Sequence, residues 1–241
     1  MNNELLLLSR NDIPFIQAQI NIHQPTIREI ALIGEESFHI ACHFLNVDKN
    51  SLSNEDKSGL ENKSDFYIIM SIMNSPVGGR YKNYLSLLFT LLFPEYKVFF
   101  ELDGIVLQKD DFITSINDKN FPFFKDIINS MFDLEQEGVN KYNPADDMAK
   151  KIAEKLAKRQ NKIAEKKNGG AQKIAIFSRY VSILAIGNHK DINELMDYTV
   201  YQLKDEFKRF QLKQSFDIHL QARMAGAKDL EEVDNWMDDI H

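Results

Sequence analysis

"HIACH", residues 39–43, places two imidazoles four positions apart with the chain's single cysteine, Cys42, between them. On a helix that spacing turns both rings to one face, as metal ligands on a helix require. A zincin-type site needs a glutamate directly after the first histidine, and Ile40 stands there. Cys42 falls off the histidine face, and no downstream His or Asp supplies an obvious third ligand. The stretch therefore reads as two partly exposed histidines on a core-facing helix, with no metal. Cys42, among Ile40, Ala41 and Phe44, reads as a small buried hydrophobe rather than a nucleophile. "PVGGRY" sets Gly78 and Gly79 before a helix and could cradle a phosphate. It lacks the Gly-x-x-x-x-Gly-Lys spacing and a strong strand in front, so it reads as an interhelical turn. No Gly-x-Ser-x-Gly, Cys-x-x-Cys or kinase-like set occurs. The expectation is a protein that is not an enzyme and carries no cofactor.

A different chemistry is suggested by "PADDMAKKIAEKLAKRQNKIAEKKNGG", residues 144–170. It has eight basic and four acidic side chains, in a chain of net charge −7. Met148, Ile152, Leu156 and Ile163 form a narrow apolar stripe, with alanines beside it. Three readings compete. The favoured one is a solvated connecting helix, because charge runs on helices are usually solvated faces. The second is an arm that touches an acidic partner. The third is a grip on nucleic acid through Lys151, Lys155, Lys158 and Arg159. It ranks lowest, since no aromatic stands between Met148 and Asn168 to stack on bases and the chain as a whole is acidic.

The elements that must position these residues follow from pattern. Ala18, Ile20 and Ile22 alternate as in a short strand. Thr26 and Glu29 have capping-box spacing and open a helix that Gly34 kinks or splits. Ser64 caps a second helix to about Asn74 with Phe66, Ile69, Met70 and Met73 on one side. Tyr81 to Phe93 is apolar nearly all round, the mark of a central core helix, and Pro94 ends it. "YKVFFELDGIVLQ" reads as a hairpin turning at Asp103-Gly104, with the strand near Ile20 joining its sheet. "FPFFKDIINSMFDL" is helical.

After the break at "EQEGVNKYNP" everything reads as helix: 144–170, then about Gln172 to Ile186 with Ile176, Tyr180, Ile183 and Leu184 at core spacing, then Thr199 to about Ala225. The last of these carries two apolar stripes, Val200/Leu203/Phe207/Phe210 and Leu212/Phe216/Leu220/Met224, rotated from each other. A short acidic tail carries Leu230, Val233, Trp236, Met237 and Ile240 on one side, with the chain's single Trp as anchor. The fold class is α+β and mainly α. An N-terminal helical domain with a small antiparallel hairpin or sheet spans 1–138, a basic connecting helix or linker 139–170, and an all-α C-terminal domain 171–241. Candidate partner-binding residues are Phe207, Phe210, Phe216, Leu220, Met224, Trp236, Met237 and Ile240.

One cysteine fits a reducing compartment. The longest apolar run, Tyr84 to Phe93, is too short for a bilayer, which needs about 20 residues. The leucines of "MNNELLLLSR" have no basic residue before them and no cleavage site after, so the chain is expected in the cytosol rather than secreted or in a membrane.

Two stretches, "IHQPTIREIALIGEESF" (Ile22 to Phe38) and "DYTVYQLKDEFKRFQLKQSFDIHLQARMAGAKDLEEVDNWMDDIH" (Asp197 to His241), resemble the tail assembly chaperones of tailed bacteriophages of Gram-positive hosts. The likeness lies in a "P-T-x-x-E-I" helix start and in a "M-A-G" then "W-M-x-D-I" ending. It implies a non-enzymatic protein in the bacterial host's cytoplasm that binds a long helical tape-measure protein, or another tail protein, and keeps it soluble. A homo-oligomer is compatible with it. The competing expectation is a structural virion protein, such as a baseplate or head–tail component.

Overall fold

The computed structural model describes residues 4–47, 63–76, 78–101, 103–134, 175–227 and 235–237. The basic stretch 144–170 lies outside them.

The chain opens with α1 (Glu4–Leu8) and a small hairpin, β1 (Ile13–Phe15) and β2 (Ile20–Ile22), antiparallel with Ile13 opposite Ile22 and Phe15 opposite Ile20. Alternate residues are buried, as a half-buried strand requires. The strand expected at Ile20 is therefore present, but it pairs with β1 and not with the later hairpin. Thr114 Oγ1, donating to Ala18 O at 2.9 Å, ties the two sheets.

α2 (Ile27–Ile33) starts on the expected capping box: Thr26 Oγ1 accepts from Glu29 N at 3.2 Å, and Thr26 N donates to the Glu29 carboxylate at 2.7 Å. Burial works against the ionised Glu29 side chain, but the hydrogen bonds from Thr26 and His23 outweigh it and hold its pKa below the usual carboxylate value. Gly34, at φ 89°, ends α2 and begins α3 (Glu35–Leu45), a full break where a side chain would be strained.

α4 (Asp65–Met73) is capped by Ser64 and buries Phe66, Ile69, Met70 and Met73, the four expected residues, with Ile68 beside them. α5 (Gly79–Leu92) differs from expectation. It buries Leu85, Leu88, Phe89 and Leu92 and leaves Tyr81 and Leu87 exposed. Arg80, Lys82, Asn83 and Thr90 interrupt the apolar pattern and give the helix a wet side.

The second sheet runs β3 (Lys97–Phe100), β4 (Ile105–Lys109), β5 (Phe112–Ile116), all antiparallel. The hairpin around Asp103-Gly104 is there, but Phe100 pairs with Ile105, so its connection has four residues instead of a two-residue turn. The tight turn is at Asp110-Asp111, between paired Lys109 and Phe112, with Asp110 at φ 50°. Asp tolerates that left-handed conformation better than most residues. Gly104 serves by closeness: a Cβ there would lie 3.0 Å from Ile116 O.

α6 (Phe121–Phe132) follows, and after residues 135–174 come α7 (Ile176–Gly187), α8 (Ile192–Met196) and α9 (Val200–Met224). α7 buries Phe177, Val181 and Leu184, a face turned slightly from the expected one; Ile176, Tyr180 and Ile183 are half-buried. The described residues before 135 and after 175 form one compact unit with a shared hydrophobic core. Phe38 of α3 meets the rings of Phe132 on α6 at 4.8 Å and Phe177 on α7 at 5.7 Å. Thr26 and Thr199, each the N-cap of a helix, bridge as a short antiparallel pair, and Ile27 N donates to Tyr198 O at 2.8 Å. The expected class holds: mainly helical, with small antiparallel sheets in the N-terminal part and helices alone in the described C-terminal part.

Candidate partner-binding surface

α9 is the longest described helix, and its two halves differ. Thr199 Oγ1 accepts from Gln202 N at 3.3 Å and the Gln202 side chain accepts from Thr199 N at 3.0 Å, a complete capping box. Val200, Tyr201 and Leu203 are buried. Lys204 Nζ donates to Phe132 O and Asp133 O, both at 2.8 Å, satisfying carbonyls at the end of α6, and Lys208 pairs with Asp133 at 3.0 Å. Phe207 stacks on Tyr180 with centroids 3.9 Å apart. Phe210 lies over Gly187, where a Cβ would come within 2.4 Å of the ring. Phe207 and Phe210 thus sit in the protein's own packing.

Past Phe210 the helix runs on for about 20 Å, at 1.5 Å per residue. Leu212 and Phe216 are half-buried, whereas Leu220 and Met224 are 48% and 82% exposed. Ile218, which neither stripe contained, is 65% exposed. It lies eleven residues past Phe207, three turns along the same face. That spacing is readable in the sequence; that the core ends before reaching it is not. α9 closes with Gly226 at φ 87°, Gly226 N donating to Arg223 O and Ala227 N to Ala222 O, each at 3.0 Å. This is a Schellman cap, which turns the chain away from the helix axis. The tail then brings Trp236 O to Arg209 Nη1 at 3.4 Å; Trp236 is half-buried and Met237 exposed. Ile240 lies outside the described residues, as do Lys151, Lys155, Lys158 and Arg159. The large apolar side chains exposed here are thus Leu220 and Met224 on one side of α9, Ile218 on another, and Met237 in the tail.

Along the first half of α9 a cleft of about 290 Å3 is lined by Leu8, Tyr198, Gln202, Asp205, Glu206 and Arg209. Its charges face partners. Arg209 pairs with Asp205 at 3.3 Å, and Lys190 reaches Glu206 at 2.9 Å and Tyr198 Oη at 2.5 Å. Arg10 lies over the Tyr198 ring and donates to Gln202 at 3.1 Å. The cleft is a fastening between α1 and α9.

Of the two histidines, His39 has a structural role. His39 packs between the rings of Phe38 and Phe177 and lies 3.4 Å from Glu35, whose carboxylate accepts from Phe177 N at 2.7 Å. Glu35 thereby caps the start of α7 across 142 residues of chain. His43 is exposed. Cys42 is buried, and that burial pushes its thiol pKa far up, so it stays protonated and unreactive. Among the described residues no three His, Cys, Asp or Glu side chains are grouped to hold a metal ion. Gly78 and Gly79 form the turn between α4 and α5, as the spacing of "PVGGRY" indicated.

Burial lowers the His39 pKa, with Glu35 opposing. In the unfolded chain histidine takes up its proton near pH 6.5, so between that pH and the lower folded value the unfolded state binds more protons. Stability from His39 is therefore complete above about pH 6.5 and declines as pH falls below it. Urea midpoints measured from pH 8 to 5.5 should fall more steeply for the native chain than for His39→Phe; parallel curves would refute the assignment.

Residues 166–241 match the family model described as the YomV second domain. YomV is a phage-associated protein of Bacillus, so the last third of this chain is similar to a phage-related domain. The matched span contains α7, α8, α9 and Trp236. No curated protein and no solved structure matches the chain. Among the described residues no helix is long and apolar enough to cross a membrane.

Proposed function

We propose that this is a non-enzymatic phage protein acting in the host cytoplasm as a tail assembly chaperone, which uses the outer half of α9 to hold an aggregation-prone helical partner of the tape-measure kind. The observation that carries the reading is that the region similar to a phage-related domain is also the region that extends a helix with exposed apolar side chains past the protein's own core. Leu220 and Met224, four residues apart on one side of the helix, suit a helix-in-groove contact, where anchors recur every three or four residues. Their exposure has a cost in solubility, and bound partner would remove it. The tail-assembly part of the reading rests on the sequence resemblance at Ile22–Phe38 and Asp197–His241.

The test is co-expression with the longest predicted coiled-coil protein encoded nearby, followed by size-exclusion chromatography with light scattering. A soluble complex is expected with the native chain. Leu220→Asp with Met224→Asp should weaken it at least tenfold while leaving the thermal midpoint nearly unchanged, since both side chains are exposed. Separate elution of the two native proteins, together with this chain in purified particles, would replace the chaperone by a structural virion protein.

A further inference from the structure

We propose that the outer edge of β3 pairs with the same edge of a second copy of this chain, joining two three-stranded sheets into one of six strands. In the order β3-β4-β5 the outer strands are both edges, and the two edges differ. On β5 the carbonyl of Ser115 accepts from Asn120 Nδ2 at 2.9 Å, which stops that edge from within. On β3, Glu101 N donates to Gly104 O across the hairpin. Alternation then turns the N–H and C=O groups of Lys97 and Phe99 toward β4, and those of Val98 and Phe100 away from it. Among the described residues nothing hydrogen-bonds to Val98 or Phe100 on that outward side.

The charges on β3 say what covers this edge. Short strands and charged side chains commonly keep sheet edges apart, but here the charges are of opposite sign and symmetrically placed. Val98 and Phe100 pack against the core, so Lys97, Phe99 and Glu101 share the other face, and all three are exposed. Lys97 and Glu101 stand two residues either side of Phe99. An antiparallel second copy centred on Phe99 sets Lys97 of each chain opposite Glu101 of the other. Val98 of each chain exchanges hydrogen bonds with Phe100 of the other. The two Phe99 rings meet as a non-hydrogen-bonded pair, the position where cross-strand side chains come closest. Phe99 is 45% exposed, and this contact would cover it. Neighbouring registers lose the match: centring on Val98 sets Glu101 against Glu95, and centring on Phe100 sets Phe99 against Glu101. The edge is thus complementary to itself in one register.

The test is sedimentation equilibrium of the full chain over a range of concentrations, with amide hydrogen exchange followed alongside. The native chain is expected to show a monomer–dimer equilibrium, and exchange at Val98 and Phe100 should slow as concentration rises. Lys97→Glu and Glu101→Lys should each raise the dimer Kd about tenfold, because symmetry turns two attractive pairs into two repulsive ones. The double variant restores opposite signs and should recover most of the native Kd, which a merely local effect of either change would not do. Both side chains are exposed, so the monomer keeps its fold. Phe99→Asp should abolish the dimer. Leu220→Asp with Met224→Asp should leave it intact, so this interface and the proposed chaperone contact fail separately. A monomer at every concentration up to about 1 mM, or a dimer indifferent to both charge reversals, would overturn the pairing.

Discussion

Phe38→Ala is expected to destabilise the whole described unit, α7 to α9 included, by about 3–5 kcal/mol. Phe38 is 1% exposed and its ring meets Phe132, Phe177 and His39 at 4.8, 5.7 and 5.6 Å. Removing it opens a cavity where helices from both ends of the chain meet. Against a typical domain stability of about 5–15 kcal/mol, that loss is a large fraction. Hydrogen exchange gives the sharper readout. Protection at Val181 and Leu184 on α7 should fall together with protection at Leu45 and Leu88, because one core serves all four. If α7 and α9 kept their protection while α3 and α5 lost theirs, the region similar to the YomV second domain would be folding on its own, and the single-core description would fail.

Gly78→Ala and Gly79→Ala should act in opposite directions. A Cβ on Gly78 would lie 2.0 Å from Ile72 O and 2.6 Å from Met73 O. These are backbone atoms in the last turn of α4, and they cannot rotate aside. The turn must open, at a cost of about 1–3 kcal/mol or more. Gly79, the first residue of α5, has nothing within 4 Å of the same position. Alanine there restricts the unfolded chain without a clash and should stabilise by about 0.4–1 kcal/mol. Thermal midpoints of the pair measure both at once. Shifts of equal sign would mean the turn geometry is wrong.

These two glycines show where sequence reading reaches its limit. Both were legible as a turn, since Pro76 and a Gly-Gly pair break any helix. Which one is indispensable depends on how closely α4 approaches, and that is set by Phe66, Ile69 and Met73 packing elsewhere. Local signals worked wherever the chemistry is local. The caps Thr26, Ser64 and Thr199 form as their spacing indicates, because a hydroxyl and an amide three residues apart need no tertiary help. Strand partners were harder. Ile20 has the alternation of a strand, but alternation does not say which strand lies beside it. On α9 the two stripes were visible, yet the sequence treats Phe207 and Met224 alike. The structure separates them, because Tyr180 and Gly187 lie next to the first half and the core stops there. The Arg209–Trp236 contact had no local signal at all, as it joins residues 27 apart around a turn.

Because Thr26 meets Thr199 and Phe38 meets Phe177, the order of synthesis matters. A ribosome that has made residue 134 has delivered most of the core's aromatic rings but none of α7 or α9. Another 53 residues separate Leu134 from Gly187, the end of α7, roughly 3–11 s of translation at about 5–20 residues per second. Throughout that interval the side of Phe38 that Phe177 will cover stays wet. The nascent chain then carries exposed apolar surface of the kind that sticks to other unfolded chains, and a message cut short in this span would yield a product with an unclosed, adhesive face.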